Sequence, residues 1–311
     1  MSKLLVVVGA TGQQGHSIIQ TILSDPQLRQ EYTIRGTTRD PNSPQAQGLA
    51  AKGIEIVAAD FNDDESLLRA FTDAHVVFAN HPTIYDGHTY EHEVTHGRAL
   101  IDAAVAASVP FYIYSTLPSI VKISQGELKH GGHFDGKEEV EQYIRTQPIR
   151  SAFVAPGSFM SNFHASMAPR RMENGGEYAL LAPVPAHVKL PLINTEDDLG
   201  KWVGAILADF DQYEGMVLCC ATALYTFEEI VETMSRVEGK TVVYREVPVE
   251  VWRMYLPELM RDYIVDMLRF FEVYGYYGDG TEEKVKWSAE QVRGELMTLE
   301  GYLRKYPLKL E

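Results

Sequence analysis

The chain has 311 residues, of which 45 % are hydrophobic and 23 % charged, and its formal net charge is −15 at pH 7. This length supports a large core in one big domain or two interlocked ones, and the acidic balance argues against direct nucleic-acid binding, which needs clustered Lys and Arg. No apolar run reaches the ~18–20 residues needed to span a bilayer, and the adjacent Cys219 and Cys220 exclude a disulfide framework. We expect a cytoplasmic location, with the nucleus left open, and no membrane association.

The N-terminal stretch KLLVVVGATGQQG combines a strand, a glycine-rich turn and the start of a helix. Leu4–Val8 is rich in β-branched residues, and a helical pattern follows at His16–Leu23. Between them, Gly9 permits a tight turn, Gly12 lets the backbone approach a pyrophosphate, and Gly15 lets the helix pack on the strand. The helix N-terminus adds free N–H groups for phosphates. In this context the glycines predict a bound dinucleotide.

The first half of the chain alternates strand and helix patterns. Such alternation predicts right-handed βαβ units and a parallel sheet covered on both faces, an α/β fold of the Rossmann-type, doubly wound class. The predicted strands are Leu4–Val8, Tyr32–Thr37, Ile54–Ala58, Val76–Ala79, Phe111–Tyr114 and Ser151–Ala155, and helices are predicted at Asp64–Phe71, Tyr90–Ala107 and Lys137–Arg145.

The pattern changes after Pro156, where prolines break up any long element. Thr195 followed by Asp198 is a capping pattern that predicts the start of a helix at 197–208. A strand at 216–221 is expected to return to the sheet, and the rest is expected to be mostly helical. The prediction is a dinucleotide-binding Rossmann domain from residues 1–156 plus about 196–222, and a smaller substrate or partner domain from 157–195 plus 223–311. Helices are predicted at Phe227–Glu238, Glu250–Tyr255 and Leu259–Tyr274.

The end of the second strand distinguishes NAD from NADP. NAD sites place an acidic residue there for the ribose 2′-OH, but this chain has Thr37 or Thr38 followed by Arg39. A guanidinium can pair with a 2′-phosphate, so we expect NADP(H). After the third strand, Asp60 and Phe61 stand where the adenine should lie. Asp60 can alternatively be a surface residue that opens a turn.

Several blocks of the sequence resemble the NmrA-like family, an atypical branch of the short-chain dehydrogenase/reductase superfamily. They are VVVGATGQQG at 6–15, TTRDP at 37–41, IYSTLPSI at 113–120, HFDGKEEVEQYI at 133–144 and APGSFMSN at 155–162. The block at 133–144 is most similar to the NADPH-sensing branch of this family.

The resemblance implies a position for each part of the cofactor. The phosphates would lie along the glycine turn, the 2′-phosphate at Arg39 and the nicotinamide ribose at Lys137. The nicotinamide would meet the segment at 159–162. The implied cofactor residues are Gly9, Thr11, Gly12, Gln13, Gln14, Gly15, Arg39, Asp60, Phe61, Asn80, Lys137, Phe159, Met160 and Asn162.

The catalytic positions depart from the ordinary superfamily pattern. A catalytic Tyr with a Lys four residues later shares one helix face, and the Lys helps the phenol to exchange a proton. Here Lys137 is present, His133 replaces the Tyr, and Ser115 matches the serine position. Acid–base chemistry can therefore be lost, depend on His133, or depend on Lys137 itself. Hydride transfer to a quinone is a further alternative that needs little positioned acid.

Two function classes follow from these positions. A redox-sensing regulator binds NADP(H) without turning it over and acts through a protein partner, and its mobile segment is expected at 117–132. An NADPH-dependent reductase would instead act on a small quinone, carbonyl or aromatic compound. A homodimer through the helix after the fourth strand stays open. His88, His92 and His96 are spaced at i, i+4 and i+8 on that helix, but we expect no metal site.

Overall fold

The structure, a computed structural model, describes residues 2–172 and 176–310, and a parallel seven-stranded sheet lies at its centre. The strands of the described residues are β1 Lys3–Val7, β2 Tyr32–Thr38, β3 Glu55–Ala58, β4 Val76–Ala79, β5 Phe111–Ser115, β6 Arg150–Pro156, β7 Ser158–Phe159, β8 Arg170–Arg171, β9 Tyr178–Ala182, β10 Lys189–Ile193, β11 Val217–Cys220, β12 Ala223–Thr226 and β13 Val242–Glu246. The strand order in the central sheet is β3-β2-β1-β4-β5-β6-β11, which is a doubly wound arrangement. The strand predicted at 216–221 returns to the edge of this sheet beside β6, as expected.

Helices cover both faces of the central sheet and form most of the C-terminal part. They are α1 Gln13–Ser24, α2 Pro26–Glu31, α3 Pro44–Ala50, α4 Asp64–Phe71, α5 Thr89–Ala106, α6 Ile120–Ile123, α7 His133–Arg145, α8 Thr195–Ala208, α9 Phe210–Tyr213, α10 Phe227–Glu238, α11 Val249–Arg253, α12 Arg261–Tyr274, α13 Thr281–Glu290 and α14 Leu299–Lys305. None of the helices within the described ranges is both long and apolar enough to cross a membrane.

The start of α8 differs from the sequence prediction. Thr195 is not the capping residue but the first residue of the helix, and Asn194 precedes it as the N-cap. The Asn194 side chain donates a hydrogen bond to Asp197 Oδ2 at 2.8 Å, whereas Thr195 is buried. The prediction was wrong because a Thr in the first turn packs inward here, and burial overrides its capping preference.

Close contact between α1 and α8 closes one face of the sheet. A Cβ at Gly200 would lie 2.3 Å from the Ser17 carbonyl oxygen, so only glycine permits this approach. The Gly200 N–H also donates to Ser17 Oγ at 2.9 Å. Trp202, two residues further along α8, is fully buried and donates its indole N–H to the Ser288 carbonyl. The core on this face therefore extends into the C-terminal part.

The C-terminal part contains two small sheets that the sequence analysis did not predict. Their strand orders are β12-β10-β7 and β13-β9-β8. Tyr276 and Tyr277 fasten this part to the central sheet, because their hydroxyls donate to the Pro156 and Ala155 carbonyls of β6 at 3.2 and 2.8 Å. The predicted division into two domains stays a prediction.

Candidate functional site

The glycine turn joins the end of β1 to α1. Gly9 has φ +68°, a conformation that L side chains rarely adopt. A Cβ at Gly15 would lie 2.4 Å from the Gly9 carbonyl oxygen, so the helix can pack on the turn only with glycine there. Gly12 is the N-cap of α1 and provides no side-chain cap, and Thr11, Gly12 and Gln13 are exposed. The first N–H groups of α1 are therefore open to an anion, which fits a pyrophosphate.

The loops after β2 and β3 bring Arg39 and Asp60 close to each other. Asp60 Oδ1 accepts hydrogen bonds from the backbone and side-chain nitrogens of Asn62 at 2.9 and 3.1 Å. These bonds, the backbone one most strongly, and the nearby Arg39 charge lower the pKa of Asp60. Asp60 therefore opens a turn, as the alternative interpretation holds. It also lies near the exposed Arg39, and the two residues follow the carboxyl ends of β3 and β2.

Phe61, the residue after Asp60, packs against the rings of two histidines. Its centroid lies 5.2 Å from that of His96 and 6.1 Å from that of His81. Burial lowers the pKa of both histidines, and for His81 the Lys137 charge adds to this effect. Both imidazoles are therefore neutral near pH 7. Asn80 immediately precedes His81 at the end of β4 and is half-buried, and its carbonyl lies next to Gly9.

A buried ion pair joins α5 to α7 at the predicted ribose position. Lys137 Nζ lies 3.0 Å from Glu93 Oε2, and the two side chains are 7 % and 1 % exposed. His81 Nδ1 is 3.4 Å from the same oxygen, and Thr83 Oγ1 donates to Glu93 Oε1 at 2.7 Å. Sequence reasoning found Lys137 but missed Glu93 and His81, because an acidic residue on a helix is normally solvated.

His133 lies one turn before Lys137, and its ring contacts a tyrosine from the C-terminal part. Its Nδ1 contacts the hydroxyl of Tyr263 on α12, and Tyr263 in turn donates to the Tyr85 hydroxyl at 3.2 Å. Burial, with help from the Lys137 charge, lowers the pKa of His133 to about 3. Burial also raises the pKa of Tyr263. Tyr263 and Tyr85 were not predicted as site residues, and no sequence motif indicates them.

Ser115 is buried at the end of β5, and the next residue, Thr116, contacts a second buried carboxylate, that of Glu141 on α7. Thr116 Oγ1 donates to Glu141 Oε2 at 2.8 Å, and Arg145 pairs with Glu141 Oε1 at 2.8 Å. Glu141 thus repeats the environment of Glu93, with one Thr hydroxyl and one cation. It lies one helical turn after Lys137 on α7.

The segment after β6 borders the glycine turn. Phe159 and Asn162 are half-buried, whereas Met160 is fully buried and belongs to the core. Ser161 Oγ donates to Gln13 Oε1 at 3.3 Å, which joins this segment to the first turn of α1. The structure thus brings the segment expected at the nicotinamide to the expected phosphate site, although Met160 faces inward.

The segment at 117–132 is held at both ends. Asp135 of α7 accepts from Ser119 Oγ at 2.6 Å and from the Val121 N–H at 3.1 Å. Asp266 of α12 accepts from the N–H groups of Lys129 and His130, both at 3.0 Å. Helix α12 therefore contacts both this segment and, through Tyr263, the His133 ring.

The histidines of α5 serve packing and pairing. His92 stacks on His96 with ring centroids 5.7 Å apart, and its Nε2 lies 2.9 Å from Asp86 Oδ2. His88 is the exposed N-cap residue of the helix. Within residues 2–172 and 176–310, no group of three or more His, Cys, Asp or Glu side chains is arranged to hold a metal ion.

The two cysteines are buried free thiols. Burial raises the pKa of Cys219 to about 12 and also raises the pKa of Cys220. Thiolates are the reactive form, so both behave as core residues.

Comparison with known proteins gives one family over nearly the whole chain. An NmrA-like family domain-containing oxidoreductase of Malbranchea aurantiaca is 31 % identical over 257 residues, which cover 78 % of this chain and 75 % of that protein. A similarly named oxidoreductase of Penicillium ochrochloron is 29 % identical, with 81 % and 78 % covered. An NmrA-like family domain-containing protein of Dictyostelium discoideum is 28 % identical over the full length of both chains.

Solved structures share the fold. NmrA, described as a negative transcriptional regulator, superposes with a TM-score of 0.80 at 21 % identity over 98 % of this chain and 96 % of its own, and it has also been solved with NADP. The NADPH-dependent quinone oxidoreductase QOR2 of Escherichia coli, solved with NADPH, gives a TM-score of 0.75 at 21 % identity over 97 % of this chain and 99 % of its own. The sequence pattern that defines the NmrA-like family matches residues 1–303 of this chain. The chain therefore belongs to the NmrA-like family.

Proposed function

We propose that this protein binds NADP(H) and acts as a redox-sensing regulator that reports the NADPH/NADP+ ratio to a protein partner. The observation that carries this proposal is the state of the two groups expected to move protons. Lys137 is buried against Glu93, and His133 is neutral and in contact with Tyr263. The neutral imidazole is not poised to donate a proton near neutral pH, and the Lys137 ammonium is held by a buried carboxylate.

The cofactor assignment rests on three features of the chain. The glycine turn leaves the N-terminus of α1 open, Arg39 stands exposed beside Asp60, and Ser161 brings the nicotinamide-side segment to Gln13. A dinucleotide lying along the carboxyl ends of the strands would meet all three. NmrA and the quinone oxidoreductase, which share this fold, were solved with NADP and NADPH. The cofactor supplies hydride when it is bound.

Neither His133 nor Tyr263 has the properties of an effective acid near neutral pH. A general acid is most effective when its pKa is near the working pH. Burial lowers the pKa of His133 to about 3, so the imidazolium form, which is the form that acts as an acid, is not populated at pH 7. Burial also raises the pKa of Tyr263, which weakens the phenol as an acid. The site therefore binds and orients better than it exchanges protons.

Helix α12 offers a route from the cofactor site to the outer part of the molecule. Tyr263 on this helix contacts His133, and Asp266, one turn later, holds the backbone at Lys129 and His130. A change at His133 on cofactor exchange would move α12 and the 117–132 segment together. Such a shared element is what a regulator needs in order to signal to a partner.

A second candidate is an NADPH-dependent reductase of quinones. It is favoured by the oxidoreductase names of the Malbranchea and Penicillium relatives and by the fold shared with the quinone oxidoreductase. Hydride transfer to a quinone needs little positioned acid, so the same site geometry is compatible with it. For either role we propose a reducing cytoplasmic or nuclear location, which suits the two free buried cysteines.

The test is to follow NADPH absorbance with purified protein and a panel of quinones and enones, with calorimetry of NADPH and NADP+ binding in parallel. Binding of both forms without turnover on any acceptor supports the regulator. Turnover on any acceptor would overturn it in favour of the reductase, and loss of that turnover in Lys137→Ala or His133→Ala would show that the reductase depends on those side chains. If neither NADPH nor NADP+ binds, the cofactor assignment itself is wrong.

A further inference from the structure

We infer that Glu93 sets the relative affinity of the site for NADP+ and NADPH by offsetting the positive charge of Lys137. The inference rests on the proposed NADP(H) binding, in which Lys137 meets the nicotinamide ribose. It assigns to Glu93, which no sequence motif indicated, a role in keeping the affinities for the two redox forms close to each other.

The argument starts from the charge balance of the buried cluster. Glu93 and Lys137 are 1 % and 7 % exposed and lie 3.0 Å apart, so water screens neither of them well. Burial lowers the pKa of His81 well below its ordinary value, so this third member is neutral. The cluster therefore carries one positive and one negative charge and has no net charge.

The two cofactor forms differ in charge at the nicotinamide ring. The ring is cationic in NADP+ and neutral in NADPH, whereas the phosphates and ribose groups are the same in both. An unpaired ammonium at Lys137 would repel only the oxidised ring. With Glu93 as its partner, the ammonium can still contact the ribose while its field is largely cancelled. A regulator that reports a ratio must bind both forms, and this pairing allows that.

The proposed role of Glu93 predicts a different effect on cofactor binding from that of a carboxylate that only stabilises the fold. Glu93 is held by Thr83 Oγ1 at 2.7 Å as well as by Lys137, so the carboxylate is fixed on the lysine side of α5. A merely structural carboxylate would, when lost, weaken both cofactor forms equally. A charge-offsetting carboxylate changes the ratio of the two dissociation constants, and the direction of that change depends on which charge is removed.

The experiment measures the dissociation constants of NADP+ and NADPH for four variants of the full chain, by calorimetry. Glu93→Gln should raise the ratio of the NADP+ constant to the NADPH constant by about tenfold, the size expected for one poorly screened charge. Lys137→Met should lower that ratio, because it leaves the carboxylate alone. The double variant should return to within about twofold of the original ratio.

The matched control is Glu141→Gln. Glu141 is also buried and also bonded to one Thr hydroxyl and one cation, Arg145, so its loss should disturb folding similarly and leave the ratio unchanged. Circular dichroism melts check that each variant is folded. If Glu93→Gln does not fold, the opposite shift in Lys137→Met still tests the inference.

The outcomes separate the two proposals. If the unmodified protein binds neither NADPH nor NADP+, the proposed function fails and the inference fails with it. If it binds both and Glu93→Gln weakens them equally, the proposed function stands and the charge-offset role of Glu93 is wrong. If Glu93→Gln and Lys137→Met change the ratio of the NADP+ and NADPH dissociation constants in the same direction, the charge-offset role of Glu93 is also wrong.

Discussion

Gly136 on α7 faces the side chain of Glu93 on α5, and a Cβ at Gly136 would lie 2.5 Å from Glu93 Cβ. The missing side chain lets the two helices approach closely enough for Glu93 to reach Lys137, the next residue along α7, at 3.0 Å. A glycine inside a helix, here in the first turn of α7, costs up to about 0.5–1 kcal/mol relative to alanine. That cost is offset here by the close packing that places the buried ion pair.

Gly136→Ala should therefore destabilise the protein, although alanine is the better helix former. We expect a loss of about 1–3 kcal/mol in the free energy of unfolding, because the added methyl group overpacks the contact with Glu93. Urea denaturation measures this. Gly48→Ala on α3 is the matched control: nothing lies within 4 Å of its Cβ position, so it should be neutral or slightly stabilising. Equal stability of the two alanine variants would contradict the packing argument.

Local sequence patterns predicted the central sheet well. The helices at Asp64–Phe71 and Phe227–Glu238 were placed to the residue, because a capping Asp or Thr stands before an amphipathic repeat in each. The parallel strands were placed within one or two residues, since each is a short apolar run bounded by turn residues. The small strands of the C-terminal part were missed, because their pairing depends on partners distant in the chain.

The candidate site was predictable only in its contiguous motifs. The glycine turn follows from its spacing and Lys137 from the resemblance to the short-chain dehydrogenase/reductase pattern, whereas the burial of Glu93 depends on a glycine of another helix. Tyr263 reaches His133 from a helix that carries no recognisable pattern for this role. Neither contact is local in sequence, so composition and periodicity carry no information about it.

Replacements at two glycines of the N-terminal turn should separate binding from folding. Gly12 is exposed with an ordinary negative φ, so Gly12→Val should leave the protein folded and abolish NADPH binding by blocking approach of the pyrophosphate. Gly15→Val should also unfold the first βα unit, because its Cβ would meet the Gly9 carbonyl oxygen at 2.4 Å. Calorimetry and thermal melts measure the two effects. Retained NADPH binding in Gly12→Val would show that the phosphates bind elsewhere.

Arg39→Ala should discriminate between NADPH and NADH. Arg39 is exposed at the end of β2, where a 2′-phosphate is expected, and a hydrogen bond to a charged group contributes about 1.5–3 kcal/mol. We therefore expect NADPH affinity to fall about tenfold to a hundredfold and NADH affinity to change little. Arg69→Ala removes an exposed arginine on α4 and should change neither. Equal losses for NADPH and NADH in Arg39→Ala would remove the case for 2′-phosphate recognition.

His133 should make the protein less stable as the pH falls below neutrality. Its folded pKa is about 3, below the unfolded value of about 6.5, so between these values the unfolded chain binds the extra proton. Above pH 6.5 both states are neutral and the effect vanishes; below it, the free energy of unfolding falls by about 1.4 kcal/mol per pH unit. His133→Gln keeps a polar side chain near Tyr263 but does not titrate. Between pH 7 and 5.5 the unmodified protein should therefore lose about 1.4 kcal/mol more than this variant in urea denaturation, whereas the other buried histidines affect both equally. Parallel losses in the two proteins would show that the His133 ring is not held neutral by burial.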